Sequence, residues 1–296
     1  MEPCIDPLTV AVVHRNAVDA VVGTIDQFLA IDAVRTVVIA DNGSPAPELE
    51  RLRSVVAERG PRVVLLELGT NTGFGPGANA ALRRWLELDG AARTEWAALV
   101  PHDVELGVGC LEQITAALRS DPMIGLACAD VGDGQTPVID PYFGGMTRPA
   151  ETERGWEDAD YPHGTLMMLR RACVEDIGLF DERYFAYCEE ADLALRARHS
   201  GWRVGLVRGA RVQNLNLSSS VAVVDYLQQR NTLLLVREMS GRYHATIRLG
   251  IAVGQLISGV RHPDDRPAVF DAPARRRAMV DHLRKRYGPP PASVTG

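Results

Sequence analysis

The stretch LGTNTGFGPGANAAL, Leu68 to Leu82, follows the apolar run RVVLLEL and opens onto a helical pattern. Gly73, Gly75 and Ala78 fit G-x-G-x-x-A, in which glycines let a strand–turn–helix approach a dinucleotide pyrophosphate. One reading of the chain is therefore an NAD(P)-dependent Rossmann oxidoreductase. Three features weigh against it. The loop follows the third apolar run, whereas the fingerprint belongs after the first strand of its domain. Pro76 stiffens the turn. The acid that should end a strand roughly 20 residues later is missing, since Glu95 begins a strand and Asp103 lies further on. Alternatively, Gly75 and Gly77 only let a helix pack closely.

Outward from this loop, apolar runs alternate with helical patterns. LTVAVV (8–13) reads as a buried strand, followed by a helix over 18–31. RTVVIA (35–40) is a second strand, closed by the turn DNGSPAP, with Ser44 placed to cap the helix that runs through Arg59. RVVLLEL is the third strand, and the helix after the glycine loop extends to Leu88. EWAALV (95–100) is the fourth strand, ended by PHDVEL. Such β-α repetition implies right-handed crossovers and a parallel sheet covered by helices on both faces. Ligands of such sheets sit beyond the carboxyl ends of the strands, which puts HRN, DNGS, NTGFGPGAN and PHDVE on one rim. From Met123 to Leu169 the pattern is irregular, with short strands such as MIGLAC and TLMML. A helix begins near Cys188, strands follow around 204–207 and at Val212, and the chain reads as wholly helical after Ser220. The break near Ser218–Ser220 divides an α/β domain, residues 1–220, from a helical extension, 221–296, with a Pro-rich tail.

The 296 residues are enough for one large α/β domain with an extension. A net charge of −6 argues against nucleic acid as a partner. Five scattered cysteines without a C-x-x-C pair read as reduced thiols of a cytoplasmic protein. No signal-peptide pattern opens the sequence. LGIAVGQLISGV is too short to span a bilayer and contains Gln255. The basic clusters Arg275–Arg277 and Arg284–Arg286 suit solvated helix faces, or peripheral contact with the inner membrane face. The helical end is also a surface for a homodimer.

VVIADNGS, NTGFGPGAN, a strand ending in HDVE, and GLFDERYFAYCEEADLALRARHSGWRV occur in that order, with YLQQRNTLLLV (226–236) beyond them. In order and spacing these segments, from about Leu8 to about Arg237, resemble the family 2 glycosyltransferases of GT-A fold, particularly the rhamnosyltransferase-like subgroup. The resemblance implies a Rossmann-like, mostly parallel sheet flanked by helices, with a nucleotide-sugar half over about 1–105 and an acceptor half over about 106–220. It implies inverting transfer of a hexose or deoxyhexose from a UDP-, dTDP- or GDP-sugar to a hydroxyl of a glycolipid, polysaccharide or small metabolite. The alternatives are the oxidoreductase above and a non-catalytic sugar-nucleotide-binding protein.

Residue roles follow from that resemblance and from the chemistry of each side chain. Asp41 accepts hydrogen bonds from the base or ribose, and His14, Arg15 and Asn16 line the same pocket. Asn71, Gly73 and Asn79 border the nucleoside, with Phe74 either beside it or in the core. Asp103 stands at the last acid of the family's D-x-D-like element. It would hold a Mg²⁺ or Mn²⁺ whose shell the phosphates complete. Pro101 replaces the usual first acid or amide there, Asn214 stands where a histidine is common, and His102 is an additional potential ligand. Glu105 reads as a solvated acid at a helix start. CEEADLALR matches the family's E-D-x-D segment, so Glu190 is the catalytic base, with Asp192 as its companion or substitute. Glu189, Asp192 and Arg196 share a helix face, while Glu190 points elsewhere. Glu189 is assigned to the acceptor together with His163, Gly164 and Thr165. Trp156 and Tyr161 stack on a sugar or pack in the core. Arg230 reaches the diphosphate, or pairs on a helix surface.

Overall fold

Side-chain alternation on the first strands explains why helices cover both sheet faces. In the computed structural model, which describes residues 5–214 and 220–295, β1 (Leu8–His14) is buried along its whole length. Its Leu8, Val10 and Val12 enter one apolar cluster, and Ala11 and Val13 enter another. β2 (Val34–Asp41) and β4 (Trp96–Pro101) alternate in the same way. A period of two thus sends successive residues to opposite layers, and a strand buried on both sides reads as an unbroken apolar run. One layer contains α1 (Val18–Leu29), α2 (Ala46–Glu58) and α4 (Cys110–Ser120). The other contains α3 (Phe74–Glu87), α5 (Arg171–Ile177) and α6 (Glu189–His199).

β1 lies between β2 and β4, parallel to both, and β3 (Val63–Glu67) flanks β2. The sheet continues from β4 through β10 (Met167–Arg170) to β6 (Ile124–Asp130) and β11 (Arg203–Asn214). Only β10 runs against these neighbours. The strands expected separately around 204–207 and at Val212 are one strand, β11, bulged between Leu206 and Arg211. Beyond the bulge its end pairs antiparallel with β5 (Val104–Leu106). Glu105 therefore lies in a strand opposite Gln213, and not at a helix start. β9 (Gly155–Asp158) pairs β11, while β7 (Gln135–Asp140) and β8 (Gly144–Pro149) form a separate hairpin. The buried Arg208 guanidinium ties that hairpin to β9, donating to Glu157 and to Thr136 Oγ1.

The helix expected to run on after Ser220 folds back on itself. Within α7 (Val221–Arg261) Gly241 has φ 82° and ψ 179°, a conformation that only glycine adopts cheaply. The halves 221–240 and 242–261 pack side by side, so Leu233 meets Ala252 and Arg248 Nη2 lies 3.4 Å from Gln229 Oε1. α8 (Ala272–Leu283), capped by Asp271, and the short α9 (Ala292–Thr295) pack on α7. Val294 joins Phe185, Tyr226, Leu227, Ala274 and Ala278 in one apolar cluster. The helical extension thereby reaches the segment just ahead of the acidic helix α6. Of the expected boundary at Ser218–Ser220, Ser218 and Ser219 lie outside the described residues.

Candidate active site

Parallel pairing in register brings the ends of β1 and β2 together, with His14 opposite Asp41. His14 is fully buried, and neither ring nitrogen has a hydrogen-bond partner among the described residues. Its Nε2 is 3.9 Å from Asp41 Oδ1, and its ring meets that of His102 edge-on at 5.4 Å. Burial foremost, with His102 beside it and Asp41 opposing, lowers the His14 pKa to about 4, so the ring is neutral. A neutral, unpartnered imidazole offers one donor and one acceptor to a ligand. Ser44 does not cap α2, whose N-cap is Pro45. It donates from Oγ to Asp41 Oδ1 (2.5 Å) and from its backbone N–H to Oδ2 (3.1 Å), because the turn points it back at the strand end. Asn16, exposed and left-handed at φ 57°, donates its backbone N–H to Ser44 Oγ.

The glycine loop is shaped by its neighbours rather than by a phosphate. Asn42 Oδ1 accepts from the backbone N–H and hydroxyl of Thr72, and Nδ2 donates to the Gly73 carbonyl, each at 2.8 Å. Asn71, exposed at the rim, accepts from the Gly73 N–H (3.1 Å). Gly73 has φ 99°, and any Cβ there would strike the Phe185 carbonyl and ring. The Gly75 N–H donates to that same carbonyl at 3.2 Å. The start of α3 is thus closed by Phe185, and the pyrophosphate cradle of the dinucleotide pattern is not formed. Phe74 packs against the core. Asn79, expected to bind the donor, is engaged within the protein. Its amide donates to the Phe180 carbonyl and Glu182, and its oxygen accepts from the Phe180 N–H, so no polar atom of its buried side chain is left over.

Asp103 sits buried in the turn between β4 and β5. The antiparallel end of β11 sets Asn214 opposite Val104, next in sequence to Asp103, so residues 111 apart in sequence share one corner. Among the described residues no group of three or more His, Cys, Asp or Glu side chains forms a cation cage. One carboxylate suits a divalent cation only when diphosphate oxygens and water supply its remaining ligands.

The acidic segment is set up by an unusual turn. Phe185, Tyr187 and Cys188 have φ of 65°, 68° and 72°, a left-handed backbone that costs about 1–2 kcal/mol per non-glycine residue. Directly after it, Glu189 and Glu190 begin α6 and point apart. Glu189 is buried against Gly75 and its Oε2 has no hydrogen-bond partner. Glu189, expected to bind the acceptor, thus packs on the side of α3. Glu190 extends toward the segment before β10, where a Cβ on Gly164 would lie 2.6 Å from its Oε1. Burial pushes Glu190 up to about 7. Burial, and then the neighbouring Glu190 charge, raise Glu189 well above the ordinary carboxylate range. Adjacent acids, one buried and one half-buried, cannot both ionise freely.

Asp192, expected beside Glu190 as a catalytic acid, is engaged within its own helix. It holds Arg196 through Nε (3.0 Å) and Nη2 (2.8 Å), and Arg196 in turn donates to the carbonyls of Ile177 and Leu179. Arg230, expected to reach the diphosphate or pair on a helix surface, lies in the interior. It is fully buried, donating to Asn231 Oδ1, the Tyr226 hydroxyl and the Tyr184 carbonyl. His163 and Thr165 flank Gly164 and are half-buried. Tyr161 packs between Gly145 and the core, and Trp156 lies beneath Arg203. Two further residues hold the site's two loops: Asn42, legible in sequence only as a turn residue after β2, and Asn231, in the middle of a helix, where no local signal marks it.

A family described as "Glycosyltransferase like family 2" matches residues 6–233. An N-acetylglucosaminyl-diphospho-decaprenol L-rhamnosyltransferase of Mycobacterium tuberculosis is 26% identical over 216 residues, covering 62% of this chain and 67% of its own. The low-salt glycan biosynthesis hexosyltransferase Agl10 of Haloferax volcanii is 23% identical over 245 residues, covering 78% and 75%. Among solved structures, GalNAc-T7 with UDP, GalNAc and Mn²⁺ superposes with a TM-score of 0.65 at 14% identity, covering 94% of this chain and 55% of that one. The mannosyltransferase PcManGT of Pyrobaculum calidifontis, with GDP-Man and Mn²⁺, gives 0.56 at 16% identity, covering 96% and 88%. Likeness of this kind to solved structures speaks to fold, and the match across most of the chain's length speaks to descent. With the parallel half-sheet, the rim of His14, Asp41 and Asp103, and the acids opening α6 already in place, the chain belongs to glycosyltransferase family 2 and has the GT-A fold.

Proposed function

We propose that this glycosyltransferase inverts the anomeric centre of a hexose or deoxyhexose, moving it from a nucleoside-diphosphate sugar to an acceptor hydroxyl, with Glu190 as the base. The observation that carries this is the Glu190 carboxylate, held at the start of α6 against Gly164 and raised by burial toward neutral pH, where a general base works best. The acceptor oxygen bonds to the anomeric carbon as the bond from that carbon to the phosphate oxygen breaks. Its electron pair leaves with the nucleoside diphosphate, and the hydroxyl proton passes to Glu190. His14 and Asp41 would bind the nucleoside, with Asn16, Asn71 and Gly73 at its edge. His163, Gly164 and Thr165 would border the acceptor. Asp103 would hold a Mg²⁺ or Mn²⁺ that arrives with the diphosphate, and such a cation neutralises charge on the leaving group. The crystallised relatives carrying Mn²⁺ support that cation.

A lipid-linked saccharide is the acceptor class favoured by the mycobacterial relative, whose name specifies one. Among the described residues no helix is long and apolar enough to cross a membrane. We place the enzyme in the cytoplasm, consistent with four described cysteines that are all free thiols.

Thermal-shift titration with UDP-, dTDP- and GDP-sugars, with and without Mn²⁺, identifies the donor. In transfer assays Glu190→Gln is expected to lower kcat by about 10²–10⁴-fold with donor affinity retained. Asp103→Ala is expected to lower kcat/KM by about 10²-fold or more. Unchanged turnover in both variants refutes the assignment.

A further inference from the structure

The geometry points to Asn231, on the first half of α7, as the positioning residue for Glu190. The inference rests on Glu190 being the base. One buried amide nitrogen, Asn231 Nδ2, shares its two N–H groups among three carbonyls of a single turn: Tyr184 (2.7 Å), Ala186 (2.7 Å) and Tyr187 (2.9 Å). Its oxygen accepts from Arg230 Nε at 3.0 Å, and Arg230 Nη2 adds a fourth bond, to the Tyr184 carbonyl at 3.3 Å. Both side chains are fully buried.

The clamped turn contains the three left-handed residues, Phe185, Tyr187 and Cys188. Such a conformation persists only where its surroundings over-determine it. The bonds that do so come from a helix more than 40 residues downstream. Cys188 is the N-cap of α6, and Glu190 stands two residues beyond it. The backbone angles over 185–188 therefore set the direction from which the Glu190 side chain leaves the chain toward Gly164. The same turn presents the Phe185 carbonyl to the Gly75 N–H at the start of α3. Among the described residues Asn231 hydrogen-bonds to no acid, and it acts through the turn.

The test uses the full chain and the donor identified above, with UDP, dTDP and GDP as binding probes. Asn231→Ala is expected to lower kcat about 10- to 100-fold, the scale of a base displaced by about an ångström. It leaves nucleoside-diphosphate affinity within about twofold and moves the acidic limb of the kcat–pH profile. That limb is read against the ionisable groups facing Glu190, namely Glu189 and Cys188 beside it and Tyr161 from the segment before β10. Adding Cys188→Gly, which adopts positive φ freely, restores part of kcat. Asn231→Ser, keeping one donor, falls between the two and serves if the alanine variant does not fold. A folded Asn231→Ala or Asn231→Ser enzyme with wild-type kcat and pH profile overturns the positioning role. So does a loss of kcat matched by an equal loss of nucleotide affinity and unrelieved by Cys188→Gly. Retained turnover in Glu190→Gln instead removes the base assignment. An inactive Glu190→Gln beside a fully active Asn231→Ala removes the positioning role alone.

Discussion

Glu190 combines two properties that pull in opposite directions. As a base it must be ionised, yet burial favours its neutral form and raises its pKa to about 7. A carboxyl whose folded-state pKa lies above its unfolded value destabilises the fold once it ionises, so that stability is full below about 4.5 and falls as pH rises through about 7. Glu190→Gln removes this penalty. The variant should gain melting temperature over wild type at pH 8, and gain clearly less at pH 5, as differential scanning fluorimetry at the two pH values will show. Transfer should run the other way, with kcat/KM of the wild type falling as pH drops below 7. Gly164 gives an independent handle on the same carboxylate. A Cβ at that position falls 2.6 Å from Glu190 Oε1, so Gly164→Ala must push the acid aside. Steady-state kinetics should show kcat reduced about tenfold or more with nucleotide affinity near wild type. An unchanged kcat would mean that the Glu190 carboxylate does not work from the position seen here.

Elements meet at this site through two asparagines, each holding a loop from a distant part of the chain. Asn42, at the end of β2, fastens the segment before α3 with three hydrogen bonds to Thr72 and Gly73. Asn42→Ala leaves those buried groups unpaired, at a cost of about 1–3 kcal/mol. The prediction is a lower urea midpoint together with weaker nucleoside-diphosphate binding, since the released loop forms the rim beside Asp41. Loss of stability without loss of affinity would separate the loop from the donor pocket. The cap expected from Ser44 failed for a related reason. The turn after β2 directs its hydroxyl back at Asp41, and the proline at the helix start already lacks the N–H that most needs a partner. Asp192 shows a similar contrast. Its helical spacing to Arg196 was legible, but the ion pair and the Ile177 and Leu179 carbonyls beyond it make that pair a brace for α6.

Across the whole molecule, the helical extension and the α/β domain share the cluster that contains Phe185 and Val294. The break at Gly241 makes this contact compatible with the length of α7, because it turns one long helix into two that pack together. Among the described residues, no atom beyond its chain neighbours and its own helix backbone lies within 4 Å of a Cβ built at Gly241, so Gly241→Ala isolates the backbone term. It should destabilise the fold by about 1–3 kcal/mol, measured by chemical denaturation, and an unchanged midpoint would mean that the turn is not required. The sequence by itself determined the alternating parallel half-sheet, the rim on which His14, Asp41 and Asp103 stand, and the presence of an acidic helix near residue 190. Each of these is written in local periodicity, in turn residues, or in the order of short motifs along the chain. Only the tertiary structure decided which polar groups remain available. Asn79 is taken up by Phe180 and Glu182, Arg230 by Tyr184 and Tyr226, Asp192 by Arg196, and the α3 start by Phe185. Apart from the helical Asp192–Arg196 pair, these partners lie mostly tens of residues apart in sequence. A side chain's hydrogen-bonding capacity is consumed by whatever folding sets beside it, and local sequence does not record such neighbours.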